Sequence, residues 1–336
     1  YTNNGGDIMS VLVCGGAGYI GSHTVSELLD RGEDVVVADN LQKGHKKAVL
    51  GGKLMIGDLR DSDFLDKVFS ENTIDSVIQF AADSLVGESV EDPLKYYNNN
   101  VVSTLSLLSK MKQYGVDKIV FSSTAATYGE PQNIPIMETD PTIPTNPYGQ
   151  TKLAVEKALK WCYEAYDIKY TALRYFNAAG AHISGKIGED HNPETHLIPI
   201  ILQAALGQRD SITIFGDDYN TEDGTCVRDY IHVTDLADAH ILALDKMRAD
   251  GKSNIYNLGN GNGFSVKEVV DITRKVTGVD IKAELGERRP GDPAILVASS
   301  EKAKKELNWK PKYNDLGTII ETAWKWHKEN PNGFSE

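Results

Sequence analysis

The first half of the chain alternates short apolar runs with longer segments of mixed polarity. The apolar runs are typical of buried β-strands and lie at 11–13, 35–38, 54–56, 76–80, 119–121 and 170–175. The segments between them carry apolar residues three or four positions apart, as at Val25, Leu28 and Leu29, which indicates helices. This alternation predicts an α/β fold with a doubly wound parallel sheet that is covered on both faces.

The second half of the chain has a different pattern. Gly, Pro, His and Asn are frequent just after residue 177, and helices are predicted near 195–206, 235–247 and 265–276. A strand-like run follows the second of these helices at 254–258. We expect that strand to return to the first sheet.

These patterns divide the chain into two parts. We expect a sheet domain over 9–177, to which 230–257 returns, and a smaller mixed α/β lobe from 178–229 and 258–336. Residues 1–8 precede Met9, which resembles a natural start. They are expected to be a remnant foreign to the protein.

Charge and cysteine content exclude several classes of partner. The chain has 35 basic and 48 acidic residues, a net charge of −13, whereas nucleic-acid binding requires a basic face. No apolar run approaches the roughly 18 residues that span a bilayer, so no membrane partner is expected. Cys14, Cys162 and Cys226 form no CxxC pair, and they predict neither a disulfide framework nor a metal site. We expect a cytoplasmic protein.

Three glycines, Gly15, Gly18 and Gly21, follow the first predicted strand and open a helix. This spacing lets the backbone approach a pyrophosphate at the helix N-terminus, although a simple strand-to-helix turn is the alternative. Asp39 ends the second strand, where a carboxylate accepts from both ribose hydroxyls and repels a 2′-phosphate, so NAD is predicted rather than NADP. Asp58 follows the third strand and either reaches the adenine or is a solvated turn residue.

Tyr148 and Lys152 lie four residues apart on a helix that is predicted to end near Asp167, so they share one face. The lysine is expected to lower the pKa of the tyrosine from about 10 toward neutrality, which makes a proton acceptor. Such pairs also occur on surfaces by chance. The run from Ser122 to Thr124 supplies a hydroxyl at the sheet edge where crevices form, and it favours the catalytic interpretation.

These motifs resemble the extended short-chain dehydrogenase/reductase family, and further segments resemble its UDP-glucose 4-epimerases. The further segments lie at 86–89, 96–100, 146–149, 173–177, 223–233 and 288–292. The resemblance extends from Met9 to the C-terminal residues. It implies an NAD-binding Rossmann domain, a lobe that binds a UDP-sugar, a homodimer through helices at 98–113 and 149–165, and a role in galactose metabolism.

The resemblance also implies roles for individual residues. It assigns catalysis to Thr124, Tyr148 and Lys152. The positions that it assigns to NAD are Gly15, Gly18, Tyr19, Ile20, Gly21, Asp39, Asn40, Asp58, Leu59, Phe80, Ala81, Ala82, Asn99, Ser122, Tyr148, Lys152 and Phe176. The positions that it assigns to the UDP-sugar are Thr124, Asn177, His196, Leu197, Thr213, Phe215, Arg228, Arg289, Asp292 and Leu296. A guanidinium suits a diphosphate because it can bind two oxygens at once.

Three positions depart from the pattern of the enzymes that the chain resembles. Ala82 and Asp83 follow Ala81, near the place where many of those enzymes carry a lysine that contacts the cofactor. His196 stands where an amide is frequent, and it either contacts the diphosphate or is a loop histidine. Leu296 stands where relatives carry tyrosine or a smaller residue, and it either faces the substituent at sugar C2 or lies in the core.

The implied reaction interconverts UDP-glucose and UDP-galactose. Tyr148 takes the proton of sugar O4 while C4 gives a hydride to NAD, the 4-keto sugar rotates, and the hydride returns to the other face. A sugar-nucleotide 4,6-dehydratase or decarboxylase is the alternative, but such enzymes resemble one another in an acidic pair where this chain has Ala125 and Ala126. A non-catalytic NAD-binding scaffold is the second alternative, and it would typically lack the tyrosine or the lysine.

Overall fold

The computed structural model describes residues 9–289 and 292–335 of the 336-residue chain. The expected remnant at 1–8 lies outside the described residues, as do Pro290 and Gly291 of the segment 288–292. No helix in the described part of the chain is long and apolar enough to cross a membrane.

The strands and helices of the described residues are numbered here in chain order. The strands are β1 Ser10–Cys14, β2 Asp34–Asp39, β3 Lys53–Ile56, β4 Ile74–Gln79, β5 Lys118–Ser122, β6 Lys169–Tyr175, β7 Asn177–Ala179, β8 Ile212–Phe215, β9 Val227–Arg228, β10 Tyr230–His232, β11 Asn254–Leu258, β12 Phe264–Ser265, β13 Ala283–Gly286 and β14 Ile295–Leu296. The helices are α1 Tyr19–Asp30, α2 Ser62–Ser70, α3 Val86–Glu91, α4 Pro93–Tyr96, α5 Ser103–Tyr114, α6 Pro147–Tyr166, α7 Leu197–Ala205, α8 Val233–Asp250, α9 Val266–Thr277, α10 Glu301–Glu306 and α11 Leu316–Glu329. A π-helical segment, Tyr97–Val102, joins α4 to α5.

Seven strands form one central parallel sheet in the spatial order β11-β6-β5-β4-β1-β2-β3. Side chains alternate between its faces, so Val11 and Val13 enter one apolar core while Leu12 enters the other. The first core includes residues of α1 and α8, and the second includes residues of α2, α5 and α6. This arrangement confirms the predicted doubly wound α/β fold.

Strand β1 lies where the order of the sheet reverses, between β2 and β4. Cys14 at its end is level with Gln79 of β4, and Gln79 is level with Phe121 of β5. The segments that begin at Gly15 and Phe80 therefore leave the sheet side by side. A crevice at such a reversal point is the usual ligand site of an open α/β sheet.

A separate apolar core lies beyond the sheet. It contains buried residues of α7, α9, α11 and β8. Strand β8 pairs with β13, β9 lies between β12 and β14, and β7 pairs with β10. Strand β11 then pairs with β6, so the chain returns to the large sheet before it completes the second core.

The structure contains elements that were not predicted from the sequence. The helices predicted in the second half correspond to α7, α8 and α9, and the Oγ of Ser265 caps α9 by accepting from the backbone N–H of Glu268 at 3.0 Å. Helices α10 and α11 and the short strands were missed. Strands of two to four residues are too short to show a two-residue period. Helix α11 did carry a helical signal, with apolar residues at Leu316, Ile319 and Ile320.

Gly21→Ala tests the close packing of α1 against the glycine loop. A Cβ at Gly21 would lie 2.1 Å from the carbonyl oxygen of Gly15, whereas a Cβ at Gly87 would meet nothing within 4 Å. We expect Gly21→Ala to lower the free energy of unfolding by about 1–3 kcal/mol. It should also reduce the amount of NAD(H) that denaturation releases. Gly87→Ala is the matched control and should melt like the wild type. Thermal unfolding and chromatography of the released nucleotide measure both effects, and an unchanged melting temperature for Gly21→Ala would contradict the argument.

Candidate active site

A cavity of about 1080 Å³ runs along the carboxyl ends of the central strands. Its wall combines residues of the large sheet with residues of the second lobe, including Gly18, Tyr148, Arg228 and His196. All 17 positions that the resemblance assigns to NAD lie on this wall. The cavity is therefore the candidate active site.

The glycine loop forms one end of the cavity. Gly15 has φ +75°, and a Cβ there would lie 2.6 Å from the backbone nitrogen of Ala81. Gly18 is the N-cap of α1 and carries no capping side chain, so the first N–H groups of the helix are available to an anion. A Cβ at Gly18 would meet only the oxygen of Gly15, at 3.4 Å, and would occupy space on the cavity wall. The loop therefore fits a pyrophosphate.

Asp39 stands behind the glycine loop with both carboxylate oxygens in use. Its Oδ2 accepts from the N–H of Ala17 at 2.9 Å, and its Oδ1 accepts from the N–H of Leu41 at 2.8 Å. Burial raises the pKa of Asp39, and the two backbone hydrogen bonds oppose that rise. Each oxygen keeps a lone pair for a ribose hydroxyl, while a 2′-phosphate would meet a negative charge. The residues thus fit NAD rather than NADP.

Asp58 forms an ion pair with Arg60 on the cavity wall. Arg60 donates to Asp58 through Nε at 2.8 Å and through Nη2 at 2.6 Å, and the hydrogen bond with Arg60 lowers the pKa of Asp58 to about 2. Arg60 also donates to Asn99 Oδ1 at 2.5 Å. Asp58 also accepts from the backbone N–H of Arg60 at 2.8 Å and is about a third exposed, so it has the contacts of a turn aspartate on the cavity wall, and its contact with an adenine stays a prediction. Arg60 was missed because one arginine in a polar loop carries no pattern.

Thr124, Tyr148 and Lys152 meet on one part of the wall. Helix α6 carries the tyrosine and the lysine in its first two turns, and it begins with Pro147 after Asn146, whose Oδ1 accepts from Gly149 N at 2.9 Å. Thr124 caps a 3-10 turn, and it forms a hydrogen bond with Tyr148. Lys152 donates from Nζ to the carbonyl oxygen of Ser122 at 2.8 Å. The structure brings the three predicted residues together.

The predicted fall in the pKa of Tyr148 is wrong for this structure. Burial raises the pKa of Tyr148 to about 12, and the hydrogen bond with Thr124 only partly opposes it. Burial also lowers the pKa of Lys152 to about 7, against the charge of Glu156, which raises it. Lys152 is buried and Tyr148 is half-buried on the cavity wall, and a low dielectric disfavours phenolate and ammonium alike. The helical spacing alone could not show this burial.

A buried polar network supports the strand end that carries Thr124. Ser123 donates to Glu156 Oε1 at 2.5 Å, and Arg174 donates from Nε to the same oxygen at 2.9 Å. Arg174 also donates to the hydroxyl of Tyr128 at 2.8 Å, and Tyr128 donates to Asn257 Oδ1 at 2.7 Å. The side chains of Arg174 and Glu156 are only 5% and 4% exposed. The network links α6, β5, β6 and β11 behind the site.

Most residues that the resemblance assigns to the UDP-sugar also reach the cavity. Those on its wall are Thr124, Asn177, His196, Arg228, Arg289, Asp292 and Leu296. Arg228 forms an ion pair with Asp292, and the guanidinium of Arg289 lies 4.1 Å from the centre of the Phe215 ring.

Three assigned positions are not part of the cavity wall. Leu197 is the first residue of α7, directly after His196, while Thr213 and Phe215 are exposed on β8. Their contact with a ligand stays a prediction.

The loop before α7 contains a cluster that the sequence analysis missed. Ligand atoms of Glu189, His191, Glu194 and His196 all lie within 4.8 Å of one another. Burial lowers the pKa of His196, but the carboxylates of Glu189 and Glu194 outweigh that effect and raise it to about 10. Four such residues within eight positions were the available signal, and only the last of them was singled out.

Comparisons with known proteins agree with this geometry. Residues 11–259 match the model of the NAD dependent epimerase/dehydratase family. A UDP-glucose 4-epimerase of Halalkalibacterium halodurans is 63% identical over 97% of this chain and 98% of that protein.

Two solved structures are also similar to this chain. The UDP-glucose 4-epimerase of Brucella ovis in complex with NAD has a TM-score of 0.92 and 48% identity, and the match covers 94% of this chain and 97% of that one. The Bifidobacterium longum enzyme in complex with NAD+ and UDP has a TM-score of 0.92 and 43% identity, with 97% and 100% covered.

Glu156→Ala tests the network behind the site. The substitution leaves the Arg174 guanidinium buried without its counter-charge, and we expect the free energy of unfolding to fall by about 3–5 kcal/mol. Glu71→Ala, which removes an exposed partner 3.5 Å from Lys53, is the control and should cost less than about 1 kcal/mol. Denaturant unfolding of both variants makes the comparison. Equal decreases in the free energy of unfolding for the two variants would show that burial of the Arg174–Glu156 pair does not increase its contribution to stability.

Proposed function

Because the chain belongs to the NAD dependent epimerase/dehydratase family, we propose that it is an isomerase that interconverts UDP-glucose and UDP-galactose. The observation that carries the proposal is the meeting of Thr124, Tyr148 and Lys152 on a wall shared by the glycine loop and by Arg228. One cavity thus holds a proton-transfer group, a dinucleotide site and a cation suited to a diphosphate.

NAD is the cofactor, and when bound it supplies the chemistry of accepting a hydride from sugar C4 and returning it. The N-terminus of α1 and the glycine loop would hold its pyrophosphate, and Asp39 its adenosine ribose. Arg60 and Asn99 lie near Asp58 at the adenine end of this path. These roles rest on the position of each side chain on the cavity wall.

Tyr148 is the proposed proton acceptor for the hydroxyl at sugar O4. Its hydrogen bond with Thr124 places a second hydroxyl beside the reacting oxygen, so the proton can pass directly or through Thr124. The phenolate is costly in this buried position, since the pKa of Tyr148 is raised to about 12. Lys152, one helical turn later, lowers that cost whenever it carries its charge.

Epimerisation requires the sugar to present both faces while the nucleotide stays bound. Arg228 and Arg289 are proposed to hold the diphosphate, and both lie on the cavity wall. Arg228 is held by Asp292, and Arg289 by its stacking on Phe215, so the two guanidinium groups are oriented before substrate binds. An anchor at the diphosphate leaves the ring itself free to turn.

The residues beside Thr124 argue against dehydration. Ala125 and Ala126 lie on the cavity wall where the dehydratase resemblance expects an acidic pair. A methyl group at either position cannot donate a proton to a leaving hydroxyl. The chain therefore lacks an acid at the positions where that alternative requires one.

Tyr148→Phe tests the proposed reaction. It removes only the ionisable oxygen of a half-buried ring, so we expect NAD content and melting temperature to stay close to wild type while the conversion of UDP-galactose to UDP-glucose is lost. A residual rate above about a tenth, a barrier change below about 1.4 kcal/mol, would mean that another group is the base. Tyr114→Phe at a half-exposed position is the control and should retain full rate. A 4-keto-6-deoxy product from the wild type would instead indicate a dehydratase.

Leu296→Ser tests the pocket around sugar C2. Leu296 lies on the cavity wall and not in the core, and its side chain offers no partner to the N–H and C=O of an acetamido group. An unpaired buried amide costs on the order of 1–3 kcal/mol, so we expect the wild type to prefer UDP-galactose over UDP-N-acetylgalactosamine by roughly tenfold or more in kcat/KM. The serine variant should narrow that ratio. If the ratio of kcat/KM for the two substrates does not change, Leu296 does not determine the specificity at sugar C2.

We also propose that the chain forms a homodimer through α5 and α6. Large apolar side chains are exposed on this side of the Rossmann domain: Leu94 is 80% exposed, Leu105 45% and Trp161 66%. Exposed apolar residues gathered on adjacent helices are characteristic of a surface that is buried in an assembly.

Cys14, Cys162 and Cys226 are all unpaired, which supports a location in the reducing cytoplasm.

Trp161→Asp combined with Leu105→Asp tests the dimer. We expect the wild type to have twice the mass of one chain in size-exclusion chromatography with light scattering, and the double variant to have the mass of one chain. Leu285→Asp, at a residue 65% exposed on β13 in the other lobe, is the control and should not change the mass. A monomeric wild type, or a double variant that stays dimeric, would contradict the proposal.

A further inference from the structure

The loop between β7 and α7 gathers four side chains with metal-binding atoms. Glu189, His191, Glu194 and His196 each offer one such atom, and the four lie within 4.8 Å of one another. Two are imidazole nitrogens and two are carboxylate oxygens. This cluster is not simply a group of acidic residues, because the two histidines contribute half of the donor atoms.

Four nitrogen–oxygen separations within the cluster are close to those between the ligands of one ion. A tetrahedral zinc site with metal–ligand distances of about 2.1 Å has its ligand atoms about 3.4 Å apart. Nδ1 of His196 lies 2.8 Å from an oxygen of Glu189 and 3.1 Å from one of Glu194. Nδ1 of His191 lies 3.2 Å and 3.7 Å from oxygens of the same two carboxylates. These separations fall on both sides of the tetrahedral value.

Hydrogen bonding does not fully account for the cluster. Nδ1 of His191 is buried and makes no well-directed hydrogen bond within the described ranges, although Glu189 Oε1 is 3.2 Å away. The side chains of Glu189 and Glu194 are each only 4% exposed and face the same point. Two buried carboxylates that face one point repel each other, so they need positive charge beside them, either as protonated imidazoles of His191 and His196 or as a metal ion that replaces the two protons.

We propose that Glu189, His191, Glu194 and His196 bind one divalent transition-metal ion of the zinc class. Imidazole nitrogen favours such ions over Mg²⁺ and Ca²⁺, which prefer oxygen ligands alone. Four protein ligands complete a tetrahedral shell, so the site is structural and leaves no position for a reacting water. The proposal is independent of the epimerase reaction, in which the ion takes no part.

The contacts of the loop indicate what the ion stabilises. Asp190 O lies 3.1 Å from Nε2 of His45, and Trp326 of α11 donates to Glu189 O at 3.1 Å. The ring of His191 meets the edge of Tyr19 in the glycine loop, with centroids 6.1 Å apart. His196 is the N-cap of α7. An ion held by this loop therefore joins the cofactor side of the cavity to the first turn of α7 on the substrate side.

Metal titration of the tag-free, full-length protein tests the site directly. After chelator treatment and dialysis, we expect Co²⁺ to bind at one ion per chain with the intense visible absorption of tetrahedral Co²⁺, and Zn²⁺ to abolish that absorption by displacement. Zn²⁺ alone should raise the melting temperature by a few degrees. No visible band and no rise in melting temperature at micromolar metal would overturn the proposal.

Two variants locate the ion. His191→Gln and Glu194→Gln each remove one ligand, and each should lose the Co²⁺ band and the zinc-dependent rise in melting temperature while keeping its NAD content. His182→Gln, which removes a histidine outside the cluster, is the control and should bind metal like the wild type. Retention of one tetrahedral Co²⁺ per chain in both ligand variants would overturn the assignment. If a variant does not fold, zinc X-ray absorption of the wild type decides by showing either two imidazoles with oxygen ligands or a different ligand set.

Discussion

The close approach of two backbone segments at the carboxyl edge of the sheet determines where α1 begins and how it is oriented. Gly15, at the end of β1, lies so near the backbone of Ala81 after β4 that no side chain fits between them. Gly21 lies as closely on Gly15 from the other direction. These contacts aim the first turn of α1 along the crevice between the two strands. The proposed pyrophosphate site at the start of this helix depends on them.

Burial sets the chemistry at the other end of the cavity. The first turns of α6 bury Lys152 and half-bury Tyr148, and this burial raises the pKa of the tyrosine and lowers the pKa of the lysine. Both side chains therefore favour their neutral forms. Arg174 and Glu156 place a satisfied ion pair behind them.

The groups proposed to hold the diphosphate come from loops and short strands of the second half of the chain. Arg228 lies on a strand of two residues, and Arg289 and Asp292 flank residues outside the described ranges. The loop at 189–196 contacts His45 in the first half of the chain and Trp326 of α11. In the proposed arrangement the nucleotide is held by these groups and the cofactor by the sheet, so the sugar lies between two surfaces from different parts of the chain.

The sequence by itself determined the features that depend on local spacing: the strand–helix alternation, the glycine triad after β1, the acid at the end of β2 and the shared face of Tyr148 and Lys152. Each is readable because it has a short, regular period or a fixed offset. Only the tertiary structure decided the pKa of Tyr148, the pairing of Arg60 with Asp58 and the convergence of Glu189 with His196. These depend on burial and on segments distant in sequence or folded as irregular loops, and a one-dimensional pattern contains neither depth from solvent nor distance in space.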